Sequence, residues 1–196
     1  MDSRIYNFLT NEIGLTDNNL IDSLAKKCKI ATFKKRETII QQNERPKYVP
    51  FLCSGIIRGF LVDEKNNEIT DCFCQRFGEA VVPSLPFDSP AIFSMQAVVD
   101  SEIFLFPVSD VVDLVTSNPD MMALYNVLLQ ESAKRHFDMK YNLMRFDNAQ
   151  RYEWFLEEYP GLIDKVSHKY IASFLSMSEV SLSRVRGKMG ITNRYK

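Results

Sequence analysis

Hydrophobic and polar positions follow two different periods along this chain. Between residues 31 and 106, apolar residues recur in short runs separated by turn residues such as Gly55 and the polar segment 63–67. Runs of this length and spacing predict short antiparallel strands in a barrel or jelly roll. Before and after this region, apolar residues recur every three or four positions, which predicts helices. The pattern therefore predicts an α+β protein whose N-terminal antiparallel β-barrel is flanked by helices.

The predicted helices fall into three groups. Two short helices precede the strands, with caps at Asp2 or Ser3 and at Thr16. After the strands, Asn118-Pro119-Asp120 opens a helix that extends to about residue 145, roughly 40 Å at 1.5 Å per residue. A single apolar stripe follows this helix: Tyr125, Leu129, Ala133, Phe137, Tyr141 and Met144. Such a stripe packs either along its own domain or against a partner helix.

The segment 166–188 predicts two short helices with a tight turn between them. Ser167 and Ser178 are the candidate N-caps, and Ser176-Met177-Ser178 breaks the apolar period. The predicted inward positions are Ile171, Phe174, Leu175, Leu182, Val185 and Met189. Opposite them lie Glu179, Ser181, Arg184 and Lys188. A helix-turn-helix that binds DNA has this pattern, and so does an ordinary helical hairpin that closes a core.

Charge is distributed unevenly and favours the DNA-binding interpretation. The net charge is −1. Residues 165–196 hold seven basic residues and one acid, a net +6, which leaves −7 for the rest. A basic region on an acidic body is typical of nucleic-acid-binding proteins. We expect three domains: the strand region with its flanking helices over 1–117, the long helix over 118–146 and the helix-turn-helix region over 147–196.

Several classes of function are not expected. The four cysteines form no C-x-x-C pair and are predicted to be buried thiols: Cys28, Cys53, Cys72 and Cys74. The two histidines, His136 and His168, both lie outside the strand region, so neither a catalytic metal site nor an enzyme is expected. No apolar run is long enough to cross a bilayer, and the N-terminus is too polar for a signal peptide. We expect a cytoplasmic protein.

The order of elements and the motif I-A-S-F-L-S-M-S-x-x-S-L-S-R-V-R at 171–186 resemble the cyclic-AMP receptor protein/Fnr superfamily of bacterial transcription regulators. Gly55 and the Phe77-Gly78-Glu79 segment add to this resemblance, which covers essentially the whole chain. It implies a cyclic-nucleotide-binding-like barrel, a homodimer through helix 118–146 and double-stranded DNA as the partner. No full β-hairpin wing is expected after the helix-turn-helix, because residues 191–196 are too few to form one.

The resemblance also implies roles for side chains in the helix-turn-helix. Arg184 matches the base-contacting arginine of the family, and an arginine can pair bidentately with guanine O6 and N7. Glu179 and Val180 stand where family members carry other base-reading residues, so the target sequence does not transfer. The remaining predicted DNA contacts, mostly to phosphates, are Ser167, Lys169, Ser178, Ser181, Arg186 and Lys188. An alternative is a sensor or interaction module that no longer binds DNA.

The ligand site is where this chain departs from the family. The positions that correspond to the family's nucleotide site are Gly78, Glu79, Ala91 and Ser94. Ala91 stands in place of the arginine that pairs with the cyclic phosphate, and no Lys or Arg occurs between residues 77 and 133. A phosphate in a partly buried pocket without a cation carries a large desolvation cost. Cyclic-nucleotide binding is therefore disfavoured, and another small effector or none is expected, unless Arg58 or Arg76 reaches the site.

Overall fold

The computed structural model describes residues 2–189, so the predicted absence of a wing falls outside the described residues. The helices are α1 Ser3–Asn7, α2 Asn18–Lys27, α3 Val108–Ser117, α4 Pro119–Arg145, α5 Asn148–Glu158, α6 His168–Phe174 and α7 Glu179–Lys188. A π-helical turn, Phe8–Glu12, follows α1, and a 3₁₀ turn, Leu162–Asp164, precedes α6. The strands are β1 Lys29–Phe33, β2 Thr38–Ile40, β3 Tyr48–Ser54, β4 Ile57–Val62, β5 Glu68–Cys74, β6 Ser94–Ala97 and β7 Ser101–Pro107.

The strands form two sheets, in the orders β1-β7-β3 and β2-β6-β4-β5. Strand β7 pairs antiparallel with β1 and β3, and β6 pairs antiparallel with β2 and β4. Side chains alternate across β7: Ile103 and Leu105 join one hydrophobic cluster, while Phe104 and Phe106 join another. This period of two is what places both faces of one sheet in apolar surroundings. The α+β prediction with N-terminal antiparallel strands is confirmed.

One cluster combines side chains of both sheets with two residues of the loop between β5 and β6. Its buried members are Ile40, Leu52, Ile57, Cys74, Val81, Ala91, Met95, Ala97 and Ile103. The other cluster covers the opposite face of the three-stranded sheet with the N-terminal helices. There Phe8 lies 5.4 Å from Phe104 and 5.8 Å from Phe106 between ring centroids.

Helix caps agree with the sequence pattern at most positions. Asp2 caps α1, and Asn118 Oδ1 accepts from the backbone N–H of Asp120 at 3.0 Å. The cap of α2 is Asp17 rather than Thr16, because the Asp17 carboxylate accepts from two backbone N–H groups of the first turn. A carboxylate and a threonine hydroxyl are both common N-caps, so adjacent candidates are not separable by pattern alone.

The chain forms two compact units. One contains the residues up to Leu61 together with Asp71–Met122, and the other contains Val62–Thr70 together with the residues from Ala123 on. The predicted division at 117 and 146 into three domains stays a prediction. All of the helix-turn-helix residues discussed below lie in the second unit, and the candidate ligand residues lie in the first.

Candidate nucleic-acid interface

Helices α6 and α7 form the predicted pair of short helices. Five of the six side chains predicted to face inward are at least 92% buried: Ile171, Phe174, Leu175, Leu182 and Val185. Met189, the sixth, is half-buried. Trp154 of α5 stacks on Phe174 with ring centroids 6.0 Å apart, so α5 supplies the third wall of this small core. The sequence pattern that predicted a helix-turn-helix is confirmed in its packing.

The turn between the two helices lies where the apolar period breaks. Ser176 has a left-handed backbone with φ of 53°, which reverses the chain direction. Ser178 then caps α7, since its hydroxyl accepts from the backbone N–H of Ser181 at 3.1 Å. Ser167 occupies the N-cap position of α6 but makes no capping hydrogen bond with its side chain. The hydroxyl of Ser167 is exposed.

Arg151 of α5 is a residue that the sequence pattern missed. Its guanidinium donates to the carbonyl oxygens of Leu143 at 2.6 Å, Phe146 at 3.0 Å, Leu175 at 3.2 Å and Ser176 at 3.3 Å. It therefore connects the last turn of α4, the α4–α5 junction and the turn before α7. The sequence did contain a signal, because the helix dipole disfavours a cation in the first turn of a helix. Arg151 at this position therefore indicates a compensating contact outside α5.

The outward surface of α7 consists of two parallel rows of exposed residues. Positions four apart are neighbours on a helix. The rows are Val180, Arg184 and Lys188, and Glu179, Ser183 and Gly187. In the described part of the chain, the charged groups of Arg184 and Lys188 make no hydrogen bond or ion pair. This face is free to contact a ligand.

The other predicted contacts differ in accessibility. Lys169 is exposed on the first turn of α6, as Ser167 is. Ser181 is half-buried, and its hydroxyl lies 2.9 Å from the hydroxyl of Ser178, so it takes part in the cap of α7. Their predicted contacts with DNA stay predictions, because no nucleic acid is present.

Arg186, another predicted phosphate contact, is half-buried and lies against His168. Its Nη1 is 3.1 Å from His168 Nδ1, and the same guanidinium lies beside the buried hydroxyl of Tyr152. Burial, together with the positive charge of Arg186, lowers the pKa of His168. A neutral imidazole can accept a hydrogen bond from arginine, whereas an imidazolium cannot. In this conformation, Arg186 joins α6 to α7.

A shallow concavity of about 540 Å³ lies between the start of α5 and α7. Its lining includes Asn148 and Ala149 of α5 and Arg184 and Lys188 of α7. The Asp147 carboxylate caps α5 by accepting from the backbone N–H groups of its first turn. Asp147 also lines the concavity, so its carboxylate already occupies the positive end of α5, and the two cations of α7 are the groups that favour an anionic ligand such as a phosphate.

The predicted ligand residues of the first unit have structural roles in the fold. Gly78 has a φ of 76°, which favours glycine. The Glu79 carboxylate accepts from the backbone N–H of Gln75 at 2.9 Å and from that of Arg76 at 3.2 Å. Ala91 is 1% exposed within the cluster between the sheets. The Ser94 hydroxyl accepts from the backbone N–H of Gln42 at 3.0 Å.

The two cations that could have completed a phosphate site also have partners. Arg58 is fully buried, donates to Gln96 Oε1 at 2.9 and 3.1 Å and lies 4.1 Å from the Phe60 ring centroid. Arg76 forms an ion pair with Glu79 at 3.7 Å. In this arrangement Glu79 and its nearest cation stabilise the turn after β5.

Within residues 2–189, no group of three or more His, Cys, Asp or Glu side chains is arranged to hold a metal ion. None of the helices in this part of the chain combines the length and hydropathy that crossing a membrane requires. Burial raises the pKa of the Cys28 thiol to about 12 and also raises that of Cys53.

No protein-family model and no curated protein matches the chain, but solved structures do. FixK2 from Bradyrhizobium japonicum matches with a TM-score of 0.76 at 15% identity, over 84% of this chain and 85% of its own. The c-di-GMP-responsive global regulator CLP from Xanthomonas campestris matches with 0.71 at 14% identity, over 92% and 97%. A protein from Eubacterium rectale that is assigned to the CRP/FNR family of transcriptional regulators matches with 0.70 at 15%, over 95% and 88%. The chain therefore has the fold of the cyclic-AMP receptor protein/Fnr regulators, as its sequence resemblance predicts.

Proposed function

We propose that this chain is a transcription regulator that binds double-stranded DNA through α7. The observation that carries the proposal is the outward face of this helix, where Arg184 and Lys188 are exposed and unpaired in the described structure. Two like charges four residues apart on a helix repel each other by a few tenths of a kcal/mol, and a polyanion such as DNA would relieve this repulsion. The matched solved structures support the proposal, since they include transcriptional regulators of the same fold.

Each part of the face suits a different element of DNA. Arg184 lies near the middle of α7 and can reach a guanine in the major groove, where a bidentate pair gives about 1–3 kcal/mol of discrimination. Lys188, Lys169 and Ser167 lie at exposed positions from which a phosphate is accessible. Phosphate contacts position the helix but do not select a sequence. Arg186 contributes to phosphate binding only if it leaves His168.

We also propose that the chain acts as a homodimer through α4. No side chain of this helix is buried in the described chain, and three large apolar side chains of its C-terminal half are strongly exposed: Phe137 at 71%, Tyr141 at 57% and Met144 at 77%. They lie four and three residues apart, so they form one stripe. A second copy of the helix would bury this stripe and place two copies of α7 on half-sites about 34 Å apart.

The signal that regulates binding is proposed to be something other than a cyclic nucleotide. Glu79 is engaged by its own turn, Ala91 offers no charge, and Arg58 is held by Gln96. Adding cyclic AMP or cyclic GMP at millimolar concentration should leave DNA affinity unchanged. An increase in affinity of tenfold or more with either nucleotide would contradict this part of the proposal.

A selection from random DNA duplexes tests the proposed function. The full chain should enrich a two-fold-related sequence, and its affinity should fall steeply as salt rises, because phosphate contacts release counterions. Lys188→Ala should reduce the slope of log affinity against log salt by about one. Lys35→Ala removes an equal charge from an exposed position in the other unit and should leave the slope unchanged. Absence of binding at low salt would instead favour an interaction module.

A further inference from the structure

We propose that Val180 recognises the 5-methyl group of a thymine in each half-site. The inference rests on the proposed DNA-binding function and specifies the base that the first turn of α7 reads. Neither the fold nor the sequence resemblance supplies this base, because the residues at positions 179 and 180 differ from those in the family.

Val180 presents its apolar surface to solvent on the face proposed to bind DNA. Its side chain is 60% exposed, although Leu182 and Val185 of the same helix are buried. The core of the second unit therefore does not use it. A valine is also a weaker helix former than an alanine, so the helix itself gains nothing from it.

The chemistry of the major groove limits what an exposed valine can recognise. Base edges there present hydrogen-bond donors and acceptors, and the principal apolar group is the thymine methyl. A valine left against any other base edge would cover polar groups without satisfying them, which is unfavourable. Glu179, adjacent and exposed, only accepts hydrogen bonds when ionised, so against a base edge it suits a donor such as the N4 amino group of cytosine.

The spacing on the helix places this thymine relative to the guanine read by Arg184. Side chains four residues apart on a helix have Cβ atoms about 5–6 Å apart. Successive bases are about 3.4 Å apart along a strand. The thymine is therefore one or two base pairs from that guanine.

Replacing thymine by deoxyuridine in the selected duplex tests the proposal, because it deletes only the methyl group. At one thymine in each half-site, one or two base pairs from the guanine, the substitution should weaken binding of the full chain about fourfold. At other thymines it should have little effect. Val180→Ala should weaken binding to the thymine duplex by a similar factor and should make the deoxyuridine substitution silent, as expected when both changes delete one contact.

The control is Val62→Ala, which shortens another exposed valine and should keep the fourfold response to deoxyuridine. The proposal is overturned if no deoxyuridine position within two base pairs of the guanine weakens binding. It is also overturned if the full response persists in Val180→Ala. Either of these two results would contradict the thymine contact but not the proposed DNA-binding function. Failure to select any duplex would contradict both proposals.

Discussion

At the scale of a single residue, Gly187 is a glycine in the last turn of α7 that no side chain of residues 2–189 packs against. A Cβ at this position meets no atom of those residues within 4 Å, and the residue does not have a positive φ. Glycine in a helix costs about 0.5–1 kcal/mol relative to alanine. The position belongs to the exposed row with Glu179 and Ser183, on the face that is proposed to bind DNA. We propose that the glycine allows DNA to approach the helix backbone closely.

The first prediction is that Gly187→Ala raises the free energy of unfolding by about 0.5–1 kcal/mol. The same change should weaken DNA binding at least threefold, because the added methyl group obstructs the approach of DNA to the helix backbone. Denaturant unfolding and a binding titration measure the two effects. Ser183→Ala, in the same row, adds no volume and is the control. A Gly187→Ala protein that is more stable and binds DNA as well as the parent would contradict the explanation.

His168 makes a pH-dependent contribution to stability. Burial and the charge of Arg186 lower its pKa below the ordinary value of 6.5, while Glu179 opposes the shift. The unfolded chain therefore binds a proton at higher pH than the folded chain does. The neutral imidazole of His168 therefore makes its full contribution to the free energy of unfolding above pH 6.5. This contribution is lost as the pH falls through the lowered pKa that His168 has in the folded chain.

The second prediction is that His168→Gln will flatten the decline of stability between pH 7 and pH 5. Denaturant midpoints measured across this range provide the comparison. His136→Gln removes the other histidine, which lies on exposed α4, and should leave the decline as it is in the parent. Equal pH profiles for the parent and His168→Gln would show that the Arg186–His168 contact does not depend on the neutral ring.

At the scale of elements, Arg151 determines how three segments of the second unit are joined. Its four carbonyl partners come from the end of α4, the α4–α5 junction and the turn before α7. Carbonyls at helix ends lack partners within their own helices, and a cation is a favourable donor to them. The contact fixes α7 relative to the helix that is proposed to form the dimer.

The third prediction is that Arg151→Gln lowers the free energy of unfolding by about 2 kcal/mol, because most of the charged hydrogen bonds from Arg151 to backbone carbonyls are lost. It should also weaken DNA binding of the folded dimer at temperatures well below unfolding. Lys165→Gln changes an exposed cation of the same unit and should have neither effect. A stable Arg151→Gln protein with parental affinity would limit this arginine to a solvated role.

Much of the element pattern could be predicted because it depends on neighbours in sequence. Asp147 and Ser178 cap the helices that follow them through hydrogen bonds to residues two or three positions later. Alternation along β7 likewise depends on single-residue steps. Local physics limits such features to a few candidates: Asp17 rather than Thr16 caps α2, a displacement of one residue, and Pro107 rather than Ser109 occupies the N-cap position of α3.

The contacts that define the candidate site were less predictable because they join distant parts of the chain. Arg151 and the carbonyls of the turn before α7 are separated by 24 and 25 residues, and Arg186 and His168 by 18. A pattern of charges shows that Arg186 is on a helix, but not whether it extends to solvent or folds onto an imidazole. Glu79 is similar, since the family resemblance implies a ligand contact, whereas its carboxylate accepts from backbone N–H groups of its own turn.

At the scale of the whole molecule, the exposed stripe on α4 is the feature that most needs a partner. A contiguous row of exposed apolar side chains, here a phenylalanine, a tyrosine and a methionine, is a recognised sign of an interface. Each copy has one basic helix-turn-helix region, which is proposed to bind DNA. Two copies joined by α4 would present two such regions, as a two-fold-symmetric site requires.

The fourth prediction is that the full chain sediments as a dimer at micromolar concentration and that Phe137→Glu sediments as a monomer. The glutamate places a charge at the centre of the stripe, where burial without a partner is costly. His136→Glu introduces the same residue one position away, off the stripe, and should remain dimeric. A parental chain that sediments as a monomer would contradict dimerisation through α4.

The central claim is that α7 reads DNA sequence through Arg184. Its most direct test is the ratio of affinities for the selected duplex and for a duplex with the guanine pair replaced, measured for the parent, Arg184→Ala and Lys188→Ala. Arg184→Ala should reduce this ratio by about tenfold or more. Lys188→Ala should weaken both affinities and keep the ratio, because a phosphate contact does not discriminate. A ratio that survives Arg184→Ala in a folded, dimeric protein would contradict the claim.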